Sequence, residues 1–509
     1  MGRERRRRTA RRRAGAGIAQ LPWRQVTNPY PPLEILKPEQ LEDIHDASMR
    51  ILEEMGIEFL SDAALALLAR NGAQVDRASG MVRFDRGLIA EMVAKAPPSV
   101  TLTPRNPDRR VILGGDRINF TLVAGPPNVH DETRGRRAGN YRDYCDLVRL
   151  AQSLNIVHML GNQVVAPIDL PAETRHLDCY LANITYSDRV YNCSAIGAAR
   201  ALDGIDMAAI ARGQTREDLA RDPAVLTVIS VNSPRRYDGA MAAGLMTMAE
   251  WGQVNVVTPF TLMGAMTPVT LAAALAQQNA EALAGIALAQ MVRPGAPVVY
   301  GAFTSNVDMR SGAPAFGTPE NAKATIAAGQ LARRYNLPYR SSNSNASNAV
   351  DAQAAYESQM SLWSATMSHS NLIYHGAGWM EGGLTVSFEK VVLDAEMCQM
   401  MAETLVPIPV DDDTLGLDAI REVGPGGHFF GAAHTLSRYE TAFYIPMLSD
   451  WRNFETWAEA GAETATQRAA HVWQALLRTY EPPPLDAAIA EELAAFVRRR
   501  KDQIARDAA

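Results

Sequence analysis

Residues 338–396 carry the clearest structural pattern of the chain, PYRSSNSNASNAVDAQAAYESQMSLWSATMSHSNLIYHGAGWMEGGLTVSFEKVVLDAE. A short run into a polar loop is followed by residues 351–369, which have helical composition and contain neither Gly nor Pro. Residues 371–375 predict a second buried strand, and a glycine-rich loop then leads to another helix that begins near Phe388. Two such strand–loop–helix units are typical of parallel α/β folds, which form their sites at the strand ends.

The same alternation extends toward the N-terminus through the middle of the chain. Apolar, β-branched runs predict strands at 118–124, 156–166, 189–197, 224–231, 254–264, 297–304, 338–344 and 371–376. Helical patterns lie between and after them, at 141–153, 171–185, 201–213, 237–251, 270–292, 319–335, 351–369 and 388–404. Strands that alternate with helices in this way specify a parallel sheet with helical crossovers. Eight units fit a (β/α)8 TIM barrel better than an open sheet, although the pattern alone separates the two poorly.

The flanking segments divide the rest of the chain. We expect a disordered basic tail at 1–30, an N-terminal α+β cap at 31–117, the (β/α)8 barrel at 118–404 and a C-terminal loop-rich and helical extension at 405–509. The short helices and strands before residue 118 motivate the cap. Residues 424–431 contain four Gly and one Pro, which excludes regular structure there.

The composition is that of a globular protein of enzyme size. Of its 509 residues 47% are hydrophobic and 21% are charged, and no apolar run is long enough to predict a membrane span. The four cysteines are widely spaced and form no CxxC pair: Cys145, Cys179, Cys193 and Cys398. This spacing argues against a disulfide framework and a cysteine zinc site, and it favours the reducing cytoplasm.

The N-terminus is the one strong departure from an even charge distribution. Residues 3–13 hold eight Arg and one Glu, whereas the whole chain has a net charge of −6. The paired arginines lack the apolar segment that an export signal requires. We expect a solvated arm that binds no nucleic acid, with docking to an acidic partner or a nucleic acid as the alternative.

Several common catalytic motifs are missing from the sequence. There is no GxxxxGK[ST] loop, no GxGxxG after a strand, no GxSxG elbow and no HExxH pair. His375 with Glu381, or His428 with His434, could meet in space, but neither spacing matches a known metal-ligand geometry. We therefore expect no metal site.

Candidate site residues cluster around the second predicted strand end. A lone histidine is more often structural, but the position of His375 at a strand end favours a functional role. Trp379, Phe388, Phe303 and Tyr356 are aromatic residues near the predicted mouth, and each alone is explained by packing. Several of them together with an acid, Glu381 or Asp351, would form a cage for a quaternary ammonium group.

The chain resembles the trimethylamine methyltransferase family, the corrinoid-dependent methylamine methyltransferases of (β/α)8 fold. The resemblance covers roughly residues 30–480. Its most specific pieces are GPPNVHDETRGRRAGNYRDYCDLVRLAQSL at 125–154, HLDCYLANITYSD at 176–188, VDAQAAYESQMSLW at 350–363, GGLTVSFEKVVLD at 382–394 and the stretch 424–444.

One departure from the family pattern concerns the substrate. The archaeal trimethylamine enzymes carry pyrrolysine just before the segment matching 350–357, and here residues 341–350 are all ordinary amino acids. A quaternary amine leaves as a neutral amine when a cobalt(I) corrinoid attacks its methyl group, so it needs only desolvation and alignment. The resemblance therefore implies a member without pyrrolysine, similar to glycine betaine:corrinoid methyltransferases.

The resemblance and the strand-end positions together assign roles to individual residues. We expect His375, Glu381, Asp351 and Gln353 to be catalytic, with capping of the following helix as the alternative for the last two. Substrate contacts are expected from Asn343, Asn345, Tyr356, Trp379, Phe303 and His428.

The resemblance also implies partners. The nearest match to the corrinoid-binding pattern DxHxxG lies at 43–48, in a helical segment that lacks the glycine. We therefore expect no tightly bound cofactor, a corrinoid supplied by a separate protein at the barrel mouth, and a homo-oligomer. The alternatives are a trimethylamine methyltransferase, a lyase or hydrolase acting on another small cation, and a non-catalytic betaine-binding protein.

Overall fold

The computed structural model describes residues 17–507. Residues 1–16, which contain the arginine-rich segment expected to form a solvated arm, lie outside the described part of the chain. Residues 17–30 of the segment expected to be a tail pack against the rest of the protein. Val26–Thr27 forms a strand antiparallel to residues 117–118, and Leu21, Val26 and Asn28 are buried.

Eight parallel strands form the centre of the described structure. They are β1 (Arg117–Leu122), β2 (Met159–Leu160), β3 (Val190–Tyr191), β4 (Leu226–Val231), β5 (Val254–Met263), β6 (Val298–Gly301), β7 (Tyr339–Ser342) and β8 (Leu372–Ala377). Most of their residues are buried regardless of which face they occupy. This is the burial expected for a parallel sheet that helices cover.

Hydrogen-bond pairing sets the order β3, β2, β1, β8, β7, β6, β5 and β4, each strand parallel to its neighbours. In this register Phe120 of β1 lies opposite Ile373 of β8, and Arg340 of β7 lies opposite Leu372. Just after β3, Asn192 forms an isolated parallel bridge with Leu226 of β4. The fold is therefore mixed α/β, as the sequence alternation predicts.

A helix follows each strand. These helices are α1 (Tyr141–Ser153), α2 (Arg175–Tyr186), α3 (Ala198–Arg212), α4 (Gly239–Glu250), α5 (Leu271–Val292), α6 (Pro319–Arg334), α7 (Ala352–Met367) and α8 (Phe388–Thr404). Their bounds lie within a few residues of the predicted ones. Asn140 caps α1 and Ser387 caps α8 through side-chain oxygens that accept backbone N–H groups, so the polar residue before each apolar run starts the helix.

The N-terminal part packs against the outside of α5. Its helical segments are Pro38–Arg50, Ile51–Met55, Asp62–Arg70, Arg86–Ala94 and Pro107–Arg109, and its strands are Ile57–Phe59, Gln74–Asp76, Met81–Arg83, Ser99–Leu102 and Val111–Gly114. Leu52, Ile57 and Phe59 share one apolar cluster with α5 residues such as Leu283. The expected division into cap, barrel and extension stays a prediction.

Short elements connect and cover the main units. The strands Asn128–Asp131, Gly135–Ala138, Trp379–Met380 and Thr385–Ser387 form a small sheet. The strands Phe303–Val307 and Pro314–Ala315 extend the end of β5, and Arg236–Tyr237 joins the N-terminal sheet. Arg216–Leu219 and Glu381–Gly383 are short helical turns.

The C-terminal part contains the helical segments Asp412–Leu415, Leu417–Val423, Phe429–Gly431, Ala433–Leu436, Phe454–Glu459, Ala465–Arg478 and Ala487–Asp507. The last two pack on the outer helices, with Trp473 4.8 Å from the Phe388 ring and Arg500 paired with Asp203. None of the helices within residues 17–507 combines the length and apolar character that a membrane crossing demands.

Candidate functional site

A cavity of about 350 Å³ opens at one edge of the parallel sheet. Residues in or just after several strands line it, among them Ala124 after β1, Asn162 after β2, Ala195 after β3, Thr258 in β5 and Arg340 in β7. Because the strands are parallel, their carboxyl ends meet at this edge. The cavity therefore occupies the place where parallel α/β folds build their sites.

Aromatic rings form one wall of the cavity. The ring of Trp379 lies 5.8 Å from Phe303 and 6.0 Å from Phe316, both edge to face, and 4.2 Å from His375. Phe303 and Phe316 stack at 5.2 Å. The sequence predicted that Phe303, Trp379 and His375 would lie near the mouth, and the structure brings them together. Phe316, which was not among the predicted residues, packs against these rings without lining the cavity. Phe260, also not predicted, lines it 5.1 Å from Phe303.

Two asparagines predicted to contact substrate instead hold the backbone around this wall. Asn345 donates to the Trp379 carbonyl at 2.7 Å, and the Trp379 indole N–H donates to the Asn345 carbonyl at 3.0 Å. Asn343 donates to the Gly376 carbonyl at 3.1 Å. Neither side chain lines the cavity. Their amide groups fix the loop that carries Trp379.

A buried ion pair lies beneath the same loop. Lys390 of α8 donates to Asp394 one helical turn away and to Ser358 Oγ at 2.7 Å, and Ser358 also accepts from Asn345. Asp394 accepts the backbone N–H of Gly378 at 2.8 Å. Burial raises the pKa of Asp394, while Lys390 opposes that change. The pair thus connects α8 with the loop from β8 to Trp379.

His375 lies inside β8 with φ of 57°, a backbone conformation that few residues other than glycine adopt. Its Nδ1 accepts the Ala124 N–H at 3.2 Å, which leaves the proton on Nε2. Burial, assisted by the charge of Arg340, lowers the pKa of His375 well below its ordinary value. The imidazole is therefore neutral at physiological pH.

Arg340 is the buried cation of the cavity, with 1% of its surface exposed. Its Cζ lies 5.2 Å above the Phe303 ring and 5.0 Å above the Tyr374 ring. Burial lowers its pKa to about 10, so it stays charged near neutral pH. Sequence reasoning missed both Arg340 and Tyr374, although a charged residue inside a predicted buried strand was an available signal.

Glu381 lies at the rim rather than in the wall. Its carboxylate pairs with Arg136 on the 135–138 strand at 2.9 Å. Its backbone has φ of 53° and its N–H donates to the Ser347 carbonyl at 3.0 Å. Its neighbours Gly382 and Gly383 line the cavity. Glu381 is near the site, but its charge is already balanced.

Four further predicted site residues lie outside the cavity. Asp351 caps α7 by accepting the N–H groups of Gln353 and Ala354, and the Gln353 side chain donates to Glu357 at 2.8 Å. Tyr356 is 62% exposed on the outer face of α7. His428 is exposed beside Phe430 in the C-terminal part. Asp351, Gln353 and Tyr356 cap or belong to α7, and no residue of α7 lines the cavity.

No group of three or more His, Cys, Asp or Glu side chains within residues 17–507 is arranged to hold a metal ion. His45, the histidine of the DxHxxG-like segment, bonds to the Tyr335 hydroxyl at 2.8 Å. All four cysteines are buried and unpaired.

A family model described as trimethylamine methyltransferase (MTTB) matches residues 2–505 of the chain. The chain belongs to the trimethylamine methyltransferase family. The family prediction is thereby confirmed, and the chain is a methyltransferase.

Relatives of this family differ in their named substrates. A glycine betaine methyltransferase from Desulfitobacterium hafniense (strain Y51) is 38% identical over 475 residues, covering 93% of this chain and 98% of that protein. A trimethylamine methyltransferase from Desulfitobacterium hafniense (strain DSM 10664 / DCB-2) is 29% identical over 476 residues, covering 91% and 93%. The crystal structure of the Methanosarcina barkeri monomethylamine methyltransferase matches with a TM-score of 0.47 and 10% identity, over 88% of this chain and 93% of that chain.

Proposed function

We propose that the protein transfers a methyl group from a quaternary amine of the glycine betaine type to the cobalt(I) corrinoid of a separate protein. The observation that carries this proposal is the cavity wall of Trp379, Phe303 and Phe260 beside the neutral His375. The 38% identity with a glycine betaine methyltransferase supports the same substrate class.

The reaction suits the groups that the cavity contains. The corrinoid is a co-substrate and supplies the nucleophile, so a cobalt–carbon bond forms while the carbon–nitrogen bond breaks. The electron pair of that bond stays on nitrogen, and the product is a neutral tertiary amine. No proton has to be delivered, which is consistent with a neutral His375 whose pKa is well below the ordinary value.

The chain's own residues would bind and align the substrate. Aromatic faces attract a quaternary ammonium by about 0.5–2 kcal/mol per ring, more when water is excluded. The Trp379 ring is held in place by the hydrogen bonds between Asn345 and Trp379. A rigid wall of this kind keeps one methyl group aligned with its acceptor, which is the main task for a displacement that needs no acid.

We also propose that the parallel sheet closes into a (β/α)8 barrel. Each strand from β4 through β5, β6, β7, β8, β1 and β2 to β3 is paired with the next. The remaining gap is spanned by the Asn192–Leu226 bridge and by the Cys193 N–H, which donates to the Leu226 carbonyl at 2.8 Å. The corrinoid protein would then dock over the mouth of the barrel, in the cytoplasm.

A methyl-transfer assay tests the function. Purified protein is mixed with cob(I)alamin, and methylcobalamin formation is followed spectroscopically with glycine betaine, choline and trimethylamine in separate reactions. We expect transfer from betaine and very slow transfer from trimethylamine, which carries no fixed positive charge. Faster turnover of trimethylamine than of any quaternary amine would overturn the proposal. Tight betaine binding without transfer, in the presence of a competent corrinoid partner, would indicate the non-catalytic binding protein instead.

A further inference from the structure

We infer that Arg340 and Tyr374 form a carboxylate-binding subsite within the cavity, which selects quaternary amines that carry a carboxylate a short distance from the nitrogen. This inference rests on the proposed function, and it names the part of the substrate that the aromatic wall does not recognise.

The guanidinium of Arg340 has more N–H donors than the surrounding residues have acceptors for. Its Nη1 donates to the Ala302 carbonyl at 3.4 Å, a long contact, and its Nε has no hydrogen-bond partner. Arg340 forms no ion pair with an Asp or Glu of residues 17–507. A guanidinium that is 99% buried without an anion is costly, because it has lost its water and gained no counter-charge. The cavity beside it is therefore expected to receive an anion.

Tyr374 adds a second donor. Its hydroxyl oxygen accepts the Asn192 side-chain N–H at 2.6 Å and the Asn162 backbone N–H at 3.2 Å. These two bonds use both lone pairs of the oxygen. With the Asn192 amide oriented so that its nitrogen faces the hydroxyl, the hydroxyl proton has no acceptor in the described part of the chain, and Tyr374 lines the cavity. A carboxylate that accepted hydrogen bonds from this hydroxyl and from Arg340 would satisfy both groups.

The spacing between this pair and the aromatic wall is short. The Phe303 ring is a neighbour of both groups, 5.2 Å from the Arg340 guanidinium carbon and 5.8 Å from the Trp379 ring. The Tyr374 ring is 4.6 Å from His375, which in turn is 4.2 Å from Trp379. These short steps would allow one small molecule, with one or a few carbons between its charges, to place its anion at Arg340 and its cation at Trp379.

The alternative is that Arg340 is only sandwiched between two rings as part of the packing. The packing role and the carboxylate subsite predict different effects of substituting Arg340. A packing role would alter the stability of the protein and the rates with all substrates alike. A carboxylate subsite would alter the preference between substrates with and without a carboxylate.

The experiment therefore compares glycine betaine with tetramethylammonium, which has the cation but no carboxylate. We expect Arg340→Gln to lower the ratio of kcat/KM for betaine over tetramethylammonium by about 100-fold, the effect of removing one partner of a buried charge pair. Arg340→Lys should retain part of the preference. Tyr374→Phe, which removes only the hydroxyl, should lower the same ratio by about 10-fold. Circular dichroism verifies that each variant is folded.

A second measurement needs no variant. Acetate should compete with betaine for the wild-type protein and should not compete with tetramethylammonium to the same extent. An unchanged substrate ratio in folded Arg340→Gln and Tyr374→Phe would overturn the inference, as would equal competition by acetate against both cations. A wrong proposed function gives a different result from a wrong subsite, because the wild-type protein would then transfer methyl groups from neither substrate. Calorimetric binding of betaine to the wild type and to Arg340→Gln would still test the subsite in that case.

Discussion

His375 combines an unusual backbone with a neutral ring at the centre of the cavity. Its φ of 57° is accessible to asparagine at little cost, whereas alanine would be strained there. Its ring also supports Trp379 at 4.2 Å. Substitutions at this position therefore separate the contribution of the ring from that of the backbone.

We expect His375→Ala to reduce betaine demethylation by at least about 10-fold, because it removes both a polar group and part of the aromatic wall. His375→Asn should keep the protein more stable than His375→Ala while remaining slow, since it tolerates the backbone but lacks the ring. The corrinoid assay and thermal unfolding measure the two effects. Full activity in either variant would show that methyl transfer does not require the His375 side chain.

The lowered pKa values of two buried histidines predict how the free energy of unfolding depends on pH. Burial lowers the pKa of His158 to about 4 and that of His375 well below its ordinary value, so both are neutral when folded. In the unfolded chain each takes up a proton near pH 6.5, so the folded state loses stability as pH falls through that value. Between pH 7.5 and 5.5 the loss is about 1.4 kcal/mol for each histidine.

Urea unfolding at pH 7.5 and 5.5 measures this loss. His375→Asn removes one of the two titrating groups, so the difference between the two pH values should shrink by about half of the histidine contribution. A variant with the same pH dependence as the wild type would show that His375 is not held neutral by the fold.

At the scale of single elements, the start of α7 shows how a plausible catalytic carboxylate serves as a cap. Asp351 accepts two backbone N–H groups at 2.9 and 3.2 Å. We expect Asp351→Ala to lower the free energy of unfolding by about 1 kcal/mol, and Asp351→Asn to lower it less, because asparagine also caps. Methyl transfer should be unchanged in both variants. A large loss of methyl transfer in a variant whose α7 helix is intact would show that Asp351 is catalytic after all.

The Lys390–Asp394 pair makes α8 a support for the cavity wall. Lys390→Met leaves Asp394 buried without its counter-charge, which should cost about 3–5 kcal/mol of stability. The double variant Lys390→Met with Asp394→Asn removes both charges and should recover much of that loss. Denaturant unfolding measures the stability, and KM for betaine reports the position of Trp379. Additive losses in the double variant would show that the two side chains are not coupled.

At the scale of the whole molecule, the C-terminal part leaves large apolar side chains uncovered. Ile408 is 83% exposed, Phe430 82%, and both Trp451 and Phe454 71%. The three aromatic side chains alone expose about 450 Å², a substantial part of the roughly 800 Å² that each partner buries in a stable interface. The outer face of α7 adds an apolar stripe of Tyr356, Met360 and Trp363. We therefore propose that copies of this chain associate through these surfaces.

Sedimentation velocity tests the association. The wild type is expected to sediment as an oligomer, and the double variant Phe430→Ser with Trp451→Ser should dissociate, because the apolar area that favours association is lost. Met55→Ser changes a side chain that is 50% exposed in the N-terminal part, and it serves as a matched control that should not alter the assembly. A monomeric wild type would contradict the proposal.

The sequence by itself determined the order and type of the elements. Apolar alternation and helix caps are local signals, so the eight helices after the strands lie within a few residues of their predicted positions. The strand and glycine-rich loop at 371–383 also drew attention to His375 and Trp379, both of which line the cavity. These features depend on residues that are close together in the chain, so the sequence alone is sufficient to predict them.

The tertiary structure alone decided which polar groups meet. Glu381 pairs with Arg136, 245 positions earlier in the chain, and no local pattern predicts that its charge is balanced. Arg340 reaches the cavity because the register places it between Phe303 and Tyr374, which come from other strands. A hydrogen bond or ion pair depends on the three-dimensional position of its second partner. That position is fixed only when the strands have paired and the helices have packed.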